Sequence, residues 1–105
     1  MRIISGHLKG KSIAFTKISN TRPLKDSVKE NIFNILLHSS LIGVKIYEAD
    51  ILDLYSGIGS FGLEAISRGA KKVTFIEKNE KAVKLLKENL NNFEIKNKAS
   101  VIEDE

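Results

Sequence analysis

The sequence predicts an α/β fold: half of a doubly wound layer with a parallel sheet, preceded by a small β-hairpin and a helix. Three observations predict it. From residue 50 onward, apolar strand-like runs alternate with helix-period stretches. The first run feeds directly into a glycine loop, Gly57-Ile58-Gly59-Ser60-Phe61-Gly62. A carboxylate, Glu77, closes the second run 20 residues after Gly57.

Taken in order, Arg2-Ile3-Ile4-Ser5 and Lys11-Ser12-Ile13-Ala14-Phe15 read as two short strands around Gly6 to Gly10. Residues 19–23 form a loop, and Pro23, the only proline, keeps a helix from starting earlier. The helix that follows has Ser27 and Glu30 at capping-box spacing. Val28, Ile32, Ile35 and Leu36 supply its apolar face, and its end is expected near Leu41. Residues 50–55 make an apolar strand. Phe61 to Arg68 is a short helix closed by Gly69. Residues 72–76 form a second strand ending at Glu77. Asn79 caps a helix striped by Val83, Leu86, Leu90 and Phe93. Residues 99–102 form a third strand. β-α-β-α-β runs with crossovers of this length imply parallel pairing.

At 105 residues the chain is one domain at most, with 42% hydrophobic and 29% charged residues. No apolar run nears the roughly 18 residues of a membrane span, and the start Met1 to Gly6 has no signal-peptide core. No membrane role is therefore expected. The absence of cysteine excludes disulfide frameworks, zinc ribbons and thiol chemistry and is compatible with a cytoplasmic location. The net charge of +4 is unevenly placed. Residues 1–25 carry Arg2, Lys9, Lys11, Lys17, Arg22 and Lys25 with no acid, whereas residues 51–105 balance nine bases against nine acids. That asymmetry fits a phosphate-rich partner such as RNA, or a plain solvated surface.

In the loop, Gly57 and Gly59 can take positive φ and let a ligand lie against the main chain, while Gly62 allows helix-on-sheet packing. Glu77 stands where a carboxylate can accept from both ribose hydroxyls; the plain alternative is a turn glutamate in Glu-Lys-Asn. Asp53, four residues before Gly57, separates two cofactor classes. It would repel a diphosphate but suit a cofactor carrying an ammonium and a sulfonium. S-adenosylmethionine has both. The alternative is a strand-end aspartate satisfied by local amides.

At these residues the sequence resembles a class I S-adenosylmethionine-dependent methyltransferase, and more narrowly the bacterial 16S rRNA (guanine-N2) methyltransferases. The resemblance begins with Met1 to Gly6 and Gly10-Lys11. It is strong at Thr21-Arg22-Pro23 with Asp26, Val28, Lys29, Glu30 and Phe33-Asn34. It resumes from Leu52 to Ala65, at residues 67–70 and from Val73 to Glu77. The loop marks the superfamily; the Thr-Arg-Pro element with the N-terminal segment is the specific part.

The resemblance implies a Rossmann-like class I methyltransferase fold with the first three strands of a parallel sheet. Residues 1–22 would form a basic hairpin and loop, and residues 23–105 the N-terminal half of the cofactor domain. Asp53, Gly57, Gly59 and Gly62 would hold the methionine part of S-adenosyl-L-methionine and Glu77 its ribose, with Tyr55 and Lys78 in the same cofactor set. Glu103, Asp104 or Glu105 falls near the adenine. Arg2, Lys9, Lys11, Arg22, Asp26 and Lys29 would bind or support RNA. Lys29 stands where the family has arginine, keeping the charge but not the forked geometry. The partner implied is ribosomal RNA or an assembling small subunit, met by a monomer.

Enzymes acting on an exocyclic amine carry an Asn or Asp-Pro-Pro-Tyr or Phe tetrapeptide, whose polar groups hold the amine and whose ring stacks on the flipped base. With one proline, this chain has no such motif. No catalytic residue and no metal ligand are therefore assigned, and the chain reads as the cofactor half of a longer enzyme, with its third strand left at an exposed edge. In the complete enzyme the guanine N2 would attack the methyl group in line. Competing readings are a nicotinamide-dependent oxidoreductase, a non-catalytic RNA-binding or ribosome-assembly module, and a remnant without function. His7 is expected in the basic segment and His38 near a helix end. Phe15, Phe33, Phe61, Phe75 and Phe93 are expected in the core, and Lys78, Lys81, Lys84 and Lys87 on a solvated side.

Overall fold

The computed structural model describes residues 1–15, 25–39 and 45–104. Its elements are α1 (Asp26–His38), β1 (Asp50–Leu54), α2 (Ser60–Ser67), β2 (Lys72–Glu77), α3 (Glu80–Asn92) and β3 (Ala99–Glu103), with a 3₁₀ turn at Lys96–Lys98 before β3. The three strands are parallel in the order β1-β2-β3, as the alternating pattern predicts. Asp53, Phe75 and Val101 align across the sheet, and so do Leu54, Ile76 and Ile102.

The start of α3 and the end of α2 are set by recognisable chemistry. Asn79 Oδ1 accepts the Ala82 N–H at 3.0 Å, the expected cap of α3. Val83, Leu86 and Leu90 are buried on the inner stripe of α3, while Lys81, Lys84 and Lys87 are exposed. At the end of α2, Gly69 N–H donates to Ile66 O and Ala70 N–H to Ala65 O, both at 3.0 Å. These are the paired bonds of a Schellman motif. Nearly all of α2 is buried, because it lies between the sheet, α1 and the N-terminal segment.

The sheet is dressed on one face. Val73 and Phe75 point into the core shared with Leu63, Ile66, Leu86 and Leu90. The opposite parity is open: Leu52, Leu54 and Ile102 are exposed, Leu54 by 55%. β3 lies at one sheet edge, as expected, and β1 at the other.

The N-terminal hairpin is present in reduced form, and other local expectations are corrected. The two ends of residues 1–15 pair antiparallel through one bridge, Arg2 with Ser12, flanked by Ile3 N–H to Lys11 O at 2.9 Å and Ile13 N–H to Met1 O at 3.1 Å. The segment is also a strap pinned to the helices. His7 N–H donates to Ser67 O, Leu8 N–H to Ser67 Oγ, and Asn89 bonds both the N–H and the C=O of Ala14. Its apolar residues Ile3, Leu8 and Ile13 are buried beneath it, although Phe15 is exposed rather than in the core.

The capping box is absent. Ser27 lies inside α1, whose N-cap is Lys25 with no side-chain bond. Finally, α1 packs chiefly through Lys29 and Phe33. Of the expected stripe, Ile32 and Leu36 are half-buried beside them, while Val28 is exposed and Ile35 is 57% exposed. Phe33 stacks on Phe61 with centroids 4.7 Å apart, and the Arg68 guanidinium sits 4.6 Å from the Phe33 ring centre. α1 ends at His38, short of Leu41.

Phe33→Ala should lower unfolding free energy by about 3–5 kcal/mol, as for a buried ring, whereas Ile35→Ala should stay within about 0.5 kcal/mol, as for a surface site. Urea titration of both variants checks this; equal losses would mean that α1 packs by its other face.

Candidate functional site

The C-terminal ends of β1 and β2 meet at the glycine loop. Gly57 and Gly59 have φ of 58° and 88°, the left-handed conformations expected of them. A Cβ on Gly62 would overlap the Phe75 ring, so only glycine lets α2 sit this low on the sheet. The loop is stitched internally by Ser56 N–H to Ile76 O at 3.0 Å, Gly59 N–H to Ser56 O at 2.9 Å and Leu63 N–H to Gly59 O at 2.8 Å.

Two of its amides are already given to carboxylates. Gly57 N–H donates to Glu77 Oε1 at 2.8 Å, and Gly62 N–H donates to Asp53 Oδ2 at 3.2 Å. The second Glu77 oxygen accepts Asn79 N–H at 2.8 Å. Both plain alternatives are thus partly realised: Glu77 does turn chemistry, and Asp53 takes a local amide. Neither use exhausts the group, because an ionised carboxylate has about four acceptor positions. Burial pushes the Asp53 carboxyl up to about 6, against the lowering effect of the Gly62 amide and with help from the nearby Glu77 charge.

The remaining cofactor candidates surround this floor. Tyr55, the residue after β1, has φ of 55° and is 81% exposed, a left-handed conformation rare outside glycine. Lys78 is exposed directly after Glu77. Glu103 aligns with Glu77 across the β2–β3 ladder, and Asp104 N–H donates to Glu77 O at 3.1 Å. Glu105 lies outside the described residues.

The RNA candidates divide. Arg2, Lys9 and Lys11 are exposed on the strap. His7 lies there too, with Nδ1 3.1 Å from Ser67 O. Arg22, with the whole Thr-Arg-Pro element, lies outside the described residues. Asp26 starts α1 and accepts Arg2 N–H at 3.4 Å. Lys29 cannot touch RNA in this arrangement, because it is fully buried. Its Nζ lies 3.3 Å from Glu64 Oε1 and donates to Arg2 O and Ser60 Oγ.

Sequence reasoning missed Glu64, Ser67 and Asn89, the buried polar groups that hold the strap. The one available signal was Glu64 four residues before Arg68, a helical ion-pair spacing inside an otherwise apolar helix. Among the described residues, no helix is long and apolar enough to cross a membrane.

Comparison with known proteins agrees with this geometry. The family model described as Conserved hypothetical protein 95 matches residues 1–105. A Haemophilus influenzae protein named ribosomal RNA small subunit methyltransferase D is 40% identical over 90 residues, covering 86% of this chain and 44% of its own. The Escherichia coli K12 protein of that name is 36% identical over 90 residues, covering 86% and 42%. Among solved structures, an Escherichia coli chain described as "Putative methyltransferase yhhF" superposes with a TM-score of 0.80 at 33% identity, over 99% of this chain and 52% of that one. The chain spans about half the length of the curated relatives it matches. With its three-stranded parallel sheet and its methyltransferase relatives, the chain belongs to the Conserved hypothetical protein 95 family.

Proposed function

We propose that this chain forms the S-adenosylmethionine-binding part of an enzyme that methylates the exocyclic N2 of a guanine in small-subunit ribosomal RNA. The observation that carries the cofactor assignment is the pair of carboxylates bonded to the loop amides of Gly57 and Gly62. A diphosphate would need such amides for itself and would face two negative charges, so a nicotinamide dinucleotide fits poorly. A cation with a nucleoside fits well. Asp53 would take the ammonium, the unused acceptor positions of Glu77 the ribose hydroxyls, and the Cβ-free loop the close approach.

The bound cofactor would supply an electrophilic methyl group. The chain's own residues would bind and orient it. Holding the acceptor amine falls to a Pro-Pro tetrapeptide of the kind described above, which a sequence with one proline does not contain; the chain alone is therefore expected to be inactive. The RNA assignment is supported by the names of the relatives and by the exposed Arg2, Lys9 and Lys11 on the strap. Association would be salt-dependent.

Calorimetry with S-adenosylhomocysteine and NAD tests the cofactor reading; preference for NAD would overturn it. Asp53→Asn should weaken S-adenosylhomocysteine about 10- to 100-fold, the range for losing a charge-assisted bond. The pH dependence has a definite sign. The ligand's ammonium favours ionised Asp53, so affinity should fall as pH drops through about 6, and Asp53→Asn should flatten that profile.

A second measurement addresses RNA. Lys9→Glu with Lys11→Glu should weaken binding of a small-subunit RNA fragment and reduce the salt slope by about 2, one per lost phosphate contact. S-adenosylhomocysteine affinity should not change. RNA binding unaltered by these changes would remove the strap from the interface.

A further inference from the structure

We propose that Lys29 and Glu64 are positioning residues for the glycine loop: they lock Ser60, the first residue of α2, to the N-terminal strap. The inference rests on the cofactor reading for one of its readouts and on geometry for the rest.

Both side chains are 0% exposed, and neither leaves a buried polar atom without a hydrogen-bond partner. An ammonium has three donors. Lys29 Nζ meets three acceptors: Arg2 O at 2.8 Å, Ser60 Oγ at 3.1 Å and Glu64 Oε1 at 3.3 Å. A carboxylate has about four acceptor positions. Glu64 meets Ile4 N–H at 2.8 Å, Ser5 N–H at 3.0 Å, Arg68 Nε at 2.8 Å and the Lys29 ammonium. No member can shift without leaving a buried charge underbonded, so the cluster admits one relative placement of strap, α1 and α2.

Ser60 is where this constraint reaches the loop. It follows Gly59 directly, is itself buried, and its hydroxyl oxygen accepts a hydrogen bond from Lys29 Nζ. Two buried charges with a partly buried arginine are a poor device for stability alone, since apolar replacements of similar volume often hold a fold as well or better. What they add is register. The strap presents the exposed Arg2, Lys9 and Lys11, and α2 begins at the cofactor loop. The cluster fixes one to the other.

The test uses the full chain with Ser60→Ala, Lys29→Met and the double variant. Ser60→Ala removes one Lys29 acceptor but leaves the Lys29–Glu64 pair whole, so it is the milder variant and stays informative if Lys29→Met fails to fold. Amide exchange without ligand is read first. The amides of residues 57–63 should exchange at least tenfold faster in Ser60→Ala while those of residues 73–77 keep the parent rate. Unchanged loop exchange overturns the proposal.

S-adenosylhomocysteine calorimetry is read second. Each single change should weaken binding about threefold to tenfold, and the double change no more than the worse single one. Additive losses would show that Ser60 acts independently of Lys29 and would overturn the proposal. If the parent chain binds no S-adenosylhomocysteine, the cofactor reading fails by itself, and the exchange result alone decides this inference.

Discussion

A single buried carboxylate organises the N-terminal half of this molecule. Glu64 sits on the second turn of α2 with no exposed surface, and a lone charge there would not survive desolvation. It is matched by Lys29 from α1, Arg68 from its own helix and two backbone amides from the strap. The strap has little secondary structure to hold it, with one isolated bridge at Arg2 and Ser12. Its place comes from this cluster, from Ser67 and Asn89, and from the burial of Ile3, Leu8 and Ile13. The position of α1 follows as well, because Phe33 is clamped between Phe61 and the guanidinium that Glu64 holds.

At the other end of α2 the electrostatics reverse. The loop has the amides and the helix start of an anion site, yet Asp53 and Glu77 take the two amides that would define one. The floor is acidic, and its geometry is fixed before any ligand arrives. Burial is the main reason that the Asp53 carboxyl is pushed up to about 6, and Glu77 at the adjacent strand end adds to it.

The β-α-β-α-β order, the glycine loop, Glu77 and the Asn79 cap were legible because each is a local signal: period, dihedral demand or a short-range bond. α1 was misread for a physical reason. Val28, Ile32, Ile35 and Leu36 offer a helical stripe, but the buried face is centred on Lys29 and Phe33, with Ile32 and Leu36 at its side and Val28 and Ile35 turned out. That face wins only because Glu64, 35 residues later in sequence, neutralises the lysine. The turn of the strap was legible, because Gly6 and Gly10 take φ of 87° and 85° between its two paired ends; its anchoring to α2 and α3 was not. A buried lysine and a buried asparagine look like surface residues until their partners are known.

The open face of the sheet has its own consequence. Leu52, Leu54 and Ile102 present a band of hydrocarbon to water on a parallel sheet, an architecture that is ordinarily sheltered on both sides. Any surface that covers this band adds to the stability of the folded form by mass action. The melting temperature of the chain would then depend on what covers this band as well as on its sequence.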